Sequence, residues 1–142
     1  MFTGEYRHTV DDKGRIAVPA KFRAQLDAGA VVSRWMESCL AVHTPEGWAR
    51  ISAKVEALPL TDATGRLFSR FLYGGASEVE LDRQGRILVP AFLRDGIGLK
   101  DEAAVIGLRD HIEIWEPSTW DGYRRALDDP DELTRAFSGL GI

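Results

Sequence analysis

Polar and hydrophobic residues follow a strand-like pattern in four short stretches of the chain, which form two pairs. Residues typical of β-strands occupy positions 5–10 and 15–18, and they return at positions 77–81 and 86–89. A polar turn that contains one glycine separates the two members of each pair, as in a β-hairpin. The pattern therefore predicts a hairpin near the start of the chain and another in its second half.

Other segments have apolar residues at helical spacing. A helix that begins after Thr44 would place Trp48, Ile51 and Val55 on one face, and its counterpart after Pro117 carries Trp120, Tyr123 and Leu127. A third helix, residues 62–73, ends at two glycines and has an apolar side that needs a partner. Short helices are predicted after Pro19 and Pro90, with Phe22, Leu26, Phe92 and Leu93 turned inward.

The two halves of the chain are copies of one another. Residues 11–20 match residues 82–91 at a constant offset of 71, and residues 40–48 match residues 112–120 at an offset of 72. Each copy is predicted to contain a hairpin, a short helical turn, a strand and a helix. Because a unit of about 45 residues is only marginally stable alone, we expect the two copies to share one core.

Charge is unevenly distributed along the 142 residues, whose formal net charge is −4. Residues 1–100 hold 14 Lys and Arg against 12 Asp and Glu, whereas residues 101–142 hold 4 against 10. The acidity therefore belongs to the C-terminal end, where the run that starts at Asp128 either stays solvated or docks on a neighbour. A low overall charge does not exclude DNA binding, since the local position of the cations decides it.

Several classes of site are not expected from the residue inventory. His8, His43 and His111 show no metal-ligand spacing, and the chain has no nucleophile elbow and no phosphate-binding glycine loop. We therefore expect no enzyme activity, no cofactor, no metal and no small-molecule substrate. No signal peptide or membrane span is recognisable, which favours a cytosolic protein, and Cys39 is interpreted as a core residue.

Both predicted turns carry an aspartate at the start and an arginine at the end. Asp11 with Arg15, and Asp82 with Arg86, are placed to face each other across the turn, which Gly14 and Gly85 close. One interpretation is a structural ion pair of about 0.2–1 kcal/mol. The other is a rigidly held guanidinium that binds phosphate or guanine.

Cations cluster around the two turns. The first copy has Lys13, Arg15, Lys21 and Arg23, with Arg7 on the preceding strand, and the second has Arg83, Arg86 and Arg94. Two hairpins with basic tips can act as a β-ribbon against a DNA groove. We therefore predict DNA contacts at Lys13, Arg15, Lys21, Arg23, Arg83 and Arg86, with the first, more basic copy as the principal one.

In combination, the motifs resemble the MraZ family. The resemblance rests on the two D-x-x-x-R motifs, the G-R-I-x-V-P strings at 14–19 and 85–90, the segment 71–76, and Glu113-Ile114-Trp115. That family is similar to the AbrB and MazE-like regulators. The resemblance implies an α+β protein, mainly β, in which two tandem AbrB-like repeats (5–47 and 76–119) form a double-split, swapped-hairpin β-barrel. Helices flank this barrel. They form the connection 48–75 and the start of the C-terminal segment 120–142, which ends in an acidic tail.

The resemblance also implies a function. It implies a transcriptional regulator of the cytoplasm and nucleoid that binds double-stranded DNA as a homo-oligomeric ring. Its targets would be short tandem repeats upstream of its own operon, in the division and cell-wall gene cluster. Lys13, Arg15 and Arg86 fall on the basic DNA-facing motif of the family. The alternative from another class is a ring-forming interaction protein whose Asp–Arg pairs are structural and which does not contact DNA.

Overall fold

The computed structural model describes residues 1–142. Its strands are β1 (Phe2–Thr9), β2 (Arg15–Ala17), β3 (Ala30–Arg34), β4 (Leu40–His43), β5 (Ala76–Val79), β6 (Arg86–Leu88), β7 (Glu102–Arg109) and β8 (His111–Trp115). Its α-helices are α1 (Pro45–Glu56), α2 (Ala63–Gly74), α3 (Ala91–Gly96), α4 (Pro117–Arg124) and α5 (Pro130–Phe137). Short 3-10 helices span Ala20–Leu26, Met36–Ser38 and Arg125–Asp128.

Strands from the two repeats are interleaved. Six strands form one antiparallel sheet in the order β1-β7-β8-β4-β3-β5, and β2 pairs with β6 in a separate two-stranded ribbon. Only β3–β4 and β7–β8 pair within a repeat, whereas β1–β7, β3–β5, β4–β8 and β2–β6 pair between repeats. The fold is therefore a mixed α and β structure in which neither repeat completes its sheet alone.

This strand exchange corrects the prediction of two local hairpins. The turns form as predicted, but β1 and β2 are joined only by the isolated bridge between Val10 and Ile16. The ladder does not continue because β2 turns away from β1 and pairs with β6 instead. The strands form an open six-stranded sheet and a ribbon, so the predicted double-split barrel is not confirmed.

The larger of two hydrophobic clusters joins the two repeats, which confirms the expectation that they share a core. It consists of 18 buried apolar residues, among them Phe22 and Leu26 from the first repeat and Ile87 and Leu93 from the second. The Phe22 ring makes edge-to-face contacts with Phe2 and Tyr6, with centroids 5.1 and 5.4 Å apart. Burial of rings in this geometry contributes both area and specific aromatic contact to stability.

The prediction for Phe92 was wrong, since its side chain is 50% exposed. At the repeat offset of 71, Leu93 and not Phe92 is the counterpart of Phe22, and Leu93 is buried. Phe92 instead corresponds to Lys21, which is also exposed. The short helices of the two repeats therefore turn the same face to the core, and the aromatic residue falls outside it.

Helices cover the other face of the sheet. Thr44 Oγ1 accepts a hydrogen bond from Gly47 N and caps α1, and Trp48 lies against the buried His43 with ring centroids 5.2 Å apart. In the second repeat, Trp120 of α4 packs on Trp115 at 5.3 Å. Both tryptophans are thus packing residues, as predicted, and they seat α1 and α4 on opposite halves of the sheet.

Helix α2 occurs where the sequence predicts it, with Asp62 as the N-cap and Gly75 at the C-terminal end. The helix after Pro117 is shorter than predicted, because α4 ends at Arg124 and the chain continues as a 3-10 turn. Cys39 is buried, as expected. No helix is both long and apolar enough to cross a membrane.

Candidate nucleic-acid interface

The β2–β6 ribbon brings the two copies of the repeated motif together. Ile16 lies opposite Ile87, Arg15 opposite Leu88, and Ala17 opposite Arg86. This register is symmetric about the Ile16–Ile87 pair, so a pseudo-twofold axis passes between the strands. Because successive side chains of a strand point to opposite faces, the two isoleucines enter the core and both arginines lie on the outer face.

Asp11 fixes the first turn and the orientation of Arg15. Its Oδ1 accepts hydrogen bonds from the backbone N–H groups of Lys13 (3.0 Å) and Arg15 (2.8 Å). Its Oδ2 accepts a bond from Arg15 Nε at 2.6 Å. The hydrogen bond from Arg15 N–H has the largest effect on Asp11 and lowers its pKa. Desolvation opposes this effect, but the Arg15 guanidinium adds to it, and the pKa falls to about 2. The carboxylate is therefore ionised and engaged at neutral pH.

Asp82 repeats the same arrangement in the second turn. Its carboxylate accepts bonds from Gln84 N, Arg86 N and Arg86 Nε, each at 2.9 Å. The Arg86 contacts also lower the pKa of Asp82. In both turns the arginine contacts its aspartate through Nε. The terminal nitrogens of Arg15 stay free, whereas Nη1 of Arg86 lies 3.5 Å from Asp11 Oδ2. The structural and functional interpretations of the pair are therefore compatible.

Each turn is braced by an arginine of the other repeat. Arg23 Nε donates to Val18 O (3.0 Å) and Arg94 Nε donates to Val89 O (2.9 Å). The Arg23 guanidinium lies over Gly85 and that of Arg94 lies over Gly14, so closely that a Cβ at either glycine would collide with it. Both glycines also have positive φ, +88° at Gly14 and +73° at Gly85. Glycine is thus favoured at both positions for two independent reasons.

The distance between the two turns sets the length of the ribbon. The ladder is extended by bonds from Val18 N to Gly85 O and from Val89 N to Gly14 O, so the two turns lie at opposite ends. Four residue steps separate these ends, which is about 14 Å. Two-stranded β-ribbons of this kind are among the elements that the major groove of B-DNA admits.

Comparison with known proteins identifies the family to which this repeated architecture belongs. The family model described as "MraZ protein, putative antitoxin-like" matches the chain twice, over residues 1–71 and 72–137. The chain belongs to the MraZ family. The recognition made from the motifs is thereby confirmed, and two adjacent matches agree with the two repeats that exchange strands.

Relatives of the chain within the MraZ family carry one common name, "Transcriptional regulator MraZ". The protein of Moorella thermoacetica is 46% identical over 93% of this chain and 92% of its own length. The protein of Halothermothrix orenii is 41% identical over the full length of both. That of Ligilactobacillus salivarius is 46% identical over 87% of this chain and 86% of its own. The family is one of regulators and not of enzymes.

The predicted DNA-contact residues of this MraZ-family chain fall into two groups. Arg15 and Arg86 lie on the outer face of the ribbon, and Lys13 and Arg83 are exposed in the turns at its ends. Lys21 lies on the 3-10 helix Ala20–Leu26, with Nζ 5.2 Å from the centre of the Tyr6 ring. Arg23 is half-buried and acts as the brace of the Gly85 turn.

These positions change which of the two MraZ repeats has more positive charge on the ribbon. Lys21 and Arg23, two of the three cations that favoured the first copy, belong to the 3-10 helix Ala20–Leu26 and not to the strands or turns of the ribbon. Residues 11–15 carry two Asp, one Lys and one Arg, for a net charge of 0 (2 − 2). Residues 82–86 carry one Asp and two Arg, for a net charge of +1 (2 − 1). The second turn is therefore the more cationic of the two.

Arg94 is one of the cations of the second repeat but is not among the predicted DNA contacts. Its sequence signal is that it recurs at the same offset of 71 from Arg23, beyond the strings that define the repeat. Its contact with Gly14 exists only because the strands of the two repeats are exchanged.

Proposed function

We propose that the chain regulates transcription by placing the β2–β6 ribbon in the major groove of double-stranded DNA. The observation that carries this proposal is the juxtaposition of Arg15 and Arg86 on the outer face of one rigid ribbon. Their Nε atoms are held by Asp11 and Asp82, so the guanidinium groups are oriented before DNA arrives. Preorganised arginine forks can bind guanine edges or phosphates bidentately.

The finer parts of the proposal concern the target and the assembly. We propose tandem repeats upstream of the chain's own operon, in the division and cell-wall gene cluster, as the target, and a location in the cytoplasm and nucleoid. We also propose a homo-oligomeric ring, because repeated weak contacts on tandem sites gain affinity through effective concentration. The division into repeats 5–47 and 76–119, a helical connection 48–75 and a C-terminal part 120–142 belongs to the same proposal.

A titration against labelled DNA tests the contact. The wild type and the Arg15→Ala and Arg86→Ala variants are titrated onto the upstream duplex and a scrambled duplex at several salt concentrations. Each lost phosphate contact should lower the salt slope by about 0.9, and each lost base contact should cost about 1–3 kcal/mol on the specific duplex. Arg50→Ala is the matched control, since Arg50 is exposed on α1 and far along the chain from the ribbon.

A second variant separates DNA contact from support of the turn. Asp11→Asn removes the charge that holds Arg15. The single amide oxygen can still accept the bonds from Lys13 N and Arg15 N, whereas the amide NH2 group cannot accept the bond from Arg15 Nε. The variant should keep or raise the affinity for scrambled DNA, because a negative charge has been removed. Equal DNA binding by wild type, Arg15→Ala and Arg86→Ala, with the assembly intact, would refute the proposal and favour a ring-forming protein without DNA contact.

A further inference from the structure

The C-terminal helix α5 has an apolar side that its own chain covers only in part. Leu133 is half-buried, Phe137 is 53% exposed, and Leu140 beyond the helix is 62% exposed. The helix follows directly on the 3-10 turn Arg125–Asp128 and has no buried residue. Because isolated helices of this length are unstable in water, α5 needs a surface to pack on.

An apolar groove without an occupant lies between α1 and α2. It has a volume of about 440 Å³, and its floor includes Val55 and Gly65. Leu60 is 90% exposed beside it, and Leu58 and Tyr73 are 38% and 40% exposed. A contiguous group of exposed apolar side chains rimmed by polar residues is typical of an interaction surface.

The charges of the helix and the groove are complementary. Arg66 and Arg70 line the groove, and neither forms an ion pair in the chain. Asp131 and Glu132 stand in the first turn of α5 and also lack an ion-pair partner, whereas Asp129 is used as the N-cap. Each surface therefore offers two charges without an ion-pair partner next to its apolar residues.

The two surfaces belong to opposite halves of the molecule. Helices α1 and α2 follow β4 and cover the half of the sheet that contains β3, whereas α4 is tied to β1 through bonds from Trp120 and Arg124 to Glu5. The pseudo-twofold axis between β4 and β8 separates them. Helix α5 leaves from the α4 side and does not occupy the groove of its own chain.

We propose that α5 of one chain docks in the α1–α2 groove of a second copy. Phe137 and Leu133 would fill the groove beside Leu60 and Tyr73, and the acidic first turn would face the two arginines. The contact is head-to-tail, so each chain offers a helix at one end and a groove at the other, and the contact propagates into a closed ring or a filament. This inference specifies the interface of the assembly proposed above.

Charge reversal tests this interface without DNA. The groove variant is Arg66→Glu with Arg70→Glu, and the helix variant is Asp131→Arg with Glu132→Arg. Sedimentation velocity at tens of µM should show a lower mass than wild type for each variant alone. The mass should return in the chain that carries all four changes, and in an equimolar mixture of the two variants, because opposite charges face each other again at every contact.

Two controls isolate the effect. Arg50→Glu reverses an exposed cation of α1 that does not line the groove, and it should assemble as the wild type does. Arg15→Ala with Arg86→Ala should also assemble normally, so a failure of DNA binding and a failure of assembly are measured separately. Circular dichroism checks that every variant is folded.

A monomeric wild type, unchanged assembly in the single-surface variants, or no recovery in the fourfold variant would overturn the proposal.

Discussion

Replacement of Gly14 by alanine tests whether the repeats brace each other through Arg94. A left-handed residue other than glycine costs about 1–2 kcal/mol, and Gly14 has a φ of +88°. The added Cβ would also lie 2.5 Å from Arg94 Cζ and would displace the guanidinium. Displacement breaks the 2.9 Å bond to Val89 O, which contributes about 1–2 kcal/mol for a half-buried charged donor. The expected total is about 2–4 kcal/mol.

A double-mutant cycle isolates the brace. In an Arg94→Ala background there is no guanidinium to displace, so Gly14→Ala should cost only about 1–2 kcal/mol. Urea unfolding followed by circular dichroism gives each free energy of unfolding, at one protein concentration because assembly contributes to stability. Gly96→Ala is the control, since a Cβ there meets nothing within 4 Å. An equal cost of Gly14→Ala in both backgrounds would refute the bracing role.

Three further changes have defined outcomes. Phe22→Ala removes a fully buried ring and should lower the free energy of unfolding by about 3–5 kcal/mol in urea titrations. Ser38→Gly relieves a φ of +63° and should raise stability by about 1 kcal/mol in the same assay. Asp11, with its pKa lowered to about 2, stabilises the fold above its unfolded pKa of about 3.9 and loses this contribution as pH falls towards 2. Melting temperatures from pH 2 to 7 should therefore fall less steeply on the acid side in Asp11→Asn.

Much of the fold could be predicted because the sequence repeats itself. The offset of 71 residues correctly indicated a shared core and two equivalent turns, and local signals located α2 between Asp62 and Gly75. The strand partners could not be predicted from the residues. Ile16 and Ile87 are the same residue in the same context, so pairing within a repeat and pairing between repeats satisfy the same hydrophobic pattern.

Contacts within one turn of the candidate site could be predicted from the sequence, whereas contacts between the repeats could not. Asp11 with Arg15 and Asp82 with Arg86 lie within one turn, so their spacing alone indicated the contact. Arg23 also carries a positive charge beside the turn, but its Nε is bound to Val18 O. A count of charges along the sequence does not distinguish a cation that faces solvent from one that packs on a glycine of the other repeat.

The small number of cations on the ribbon explains why assembly matters to the proposed function. Lys13, Arg15, Arg83 and Arg86 could neutralise about four phosphates, which gives a salt slope of about 3.6. Raising the salt from about 50 to 200 mM would then weaken one chain on DNA about a hundredfold. A chain with a net charge of −4 gains little from its overall field. Under the proposed function, binding to DNA in the cell would depend on several ribbons held in one assembly, and the docking of α5 in a neighbour's groove would supply that linkage.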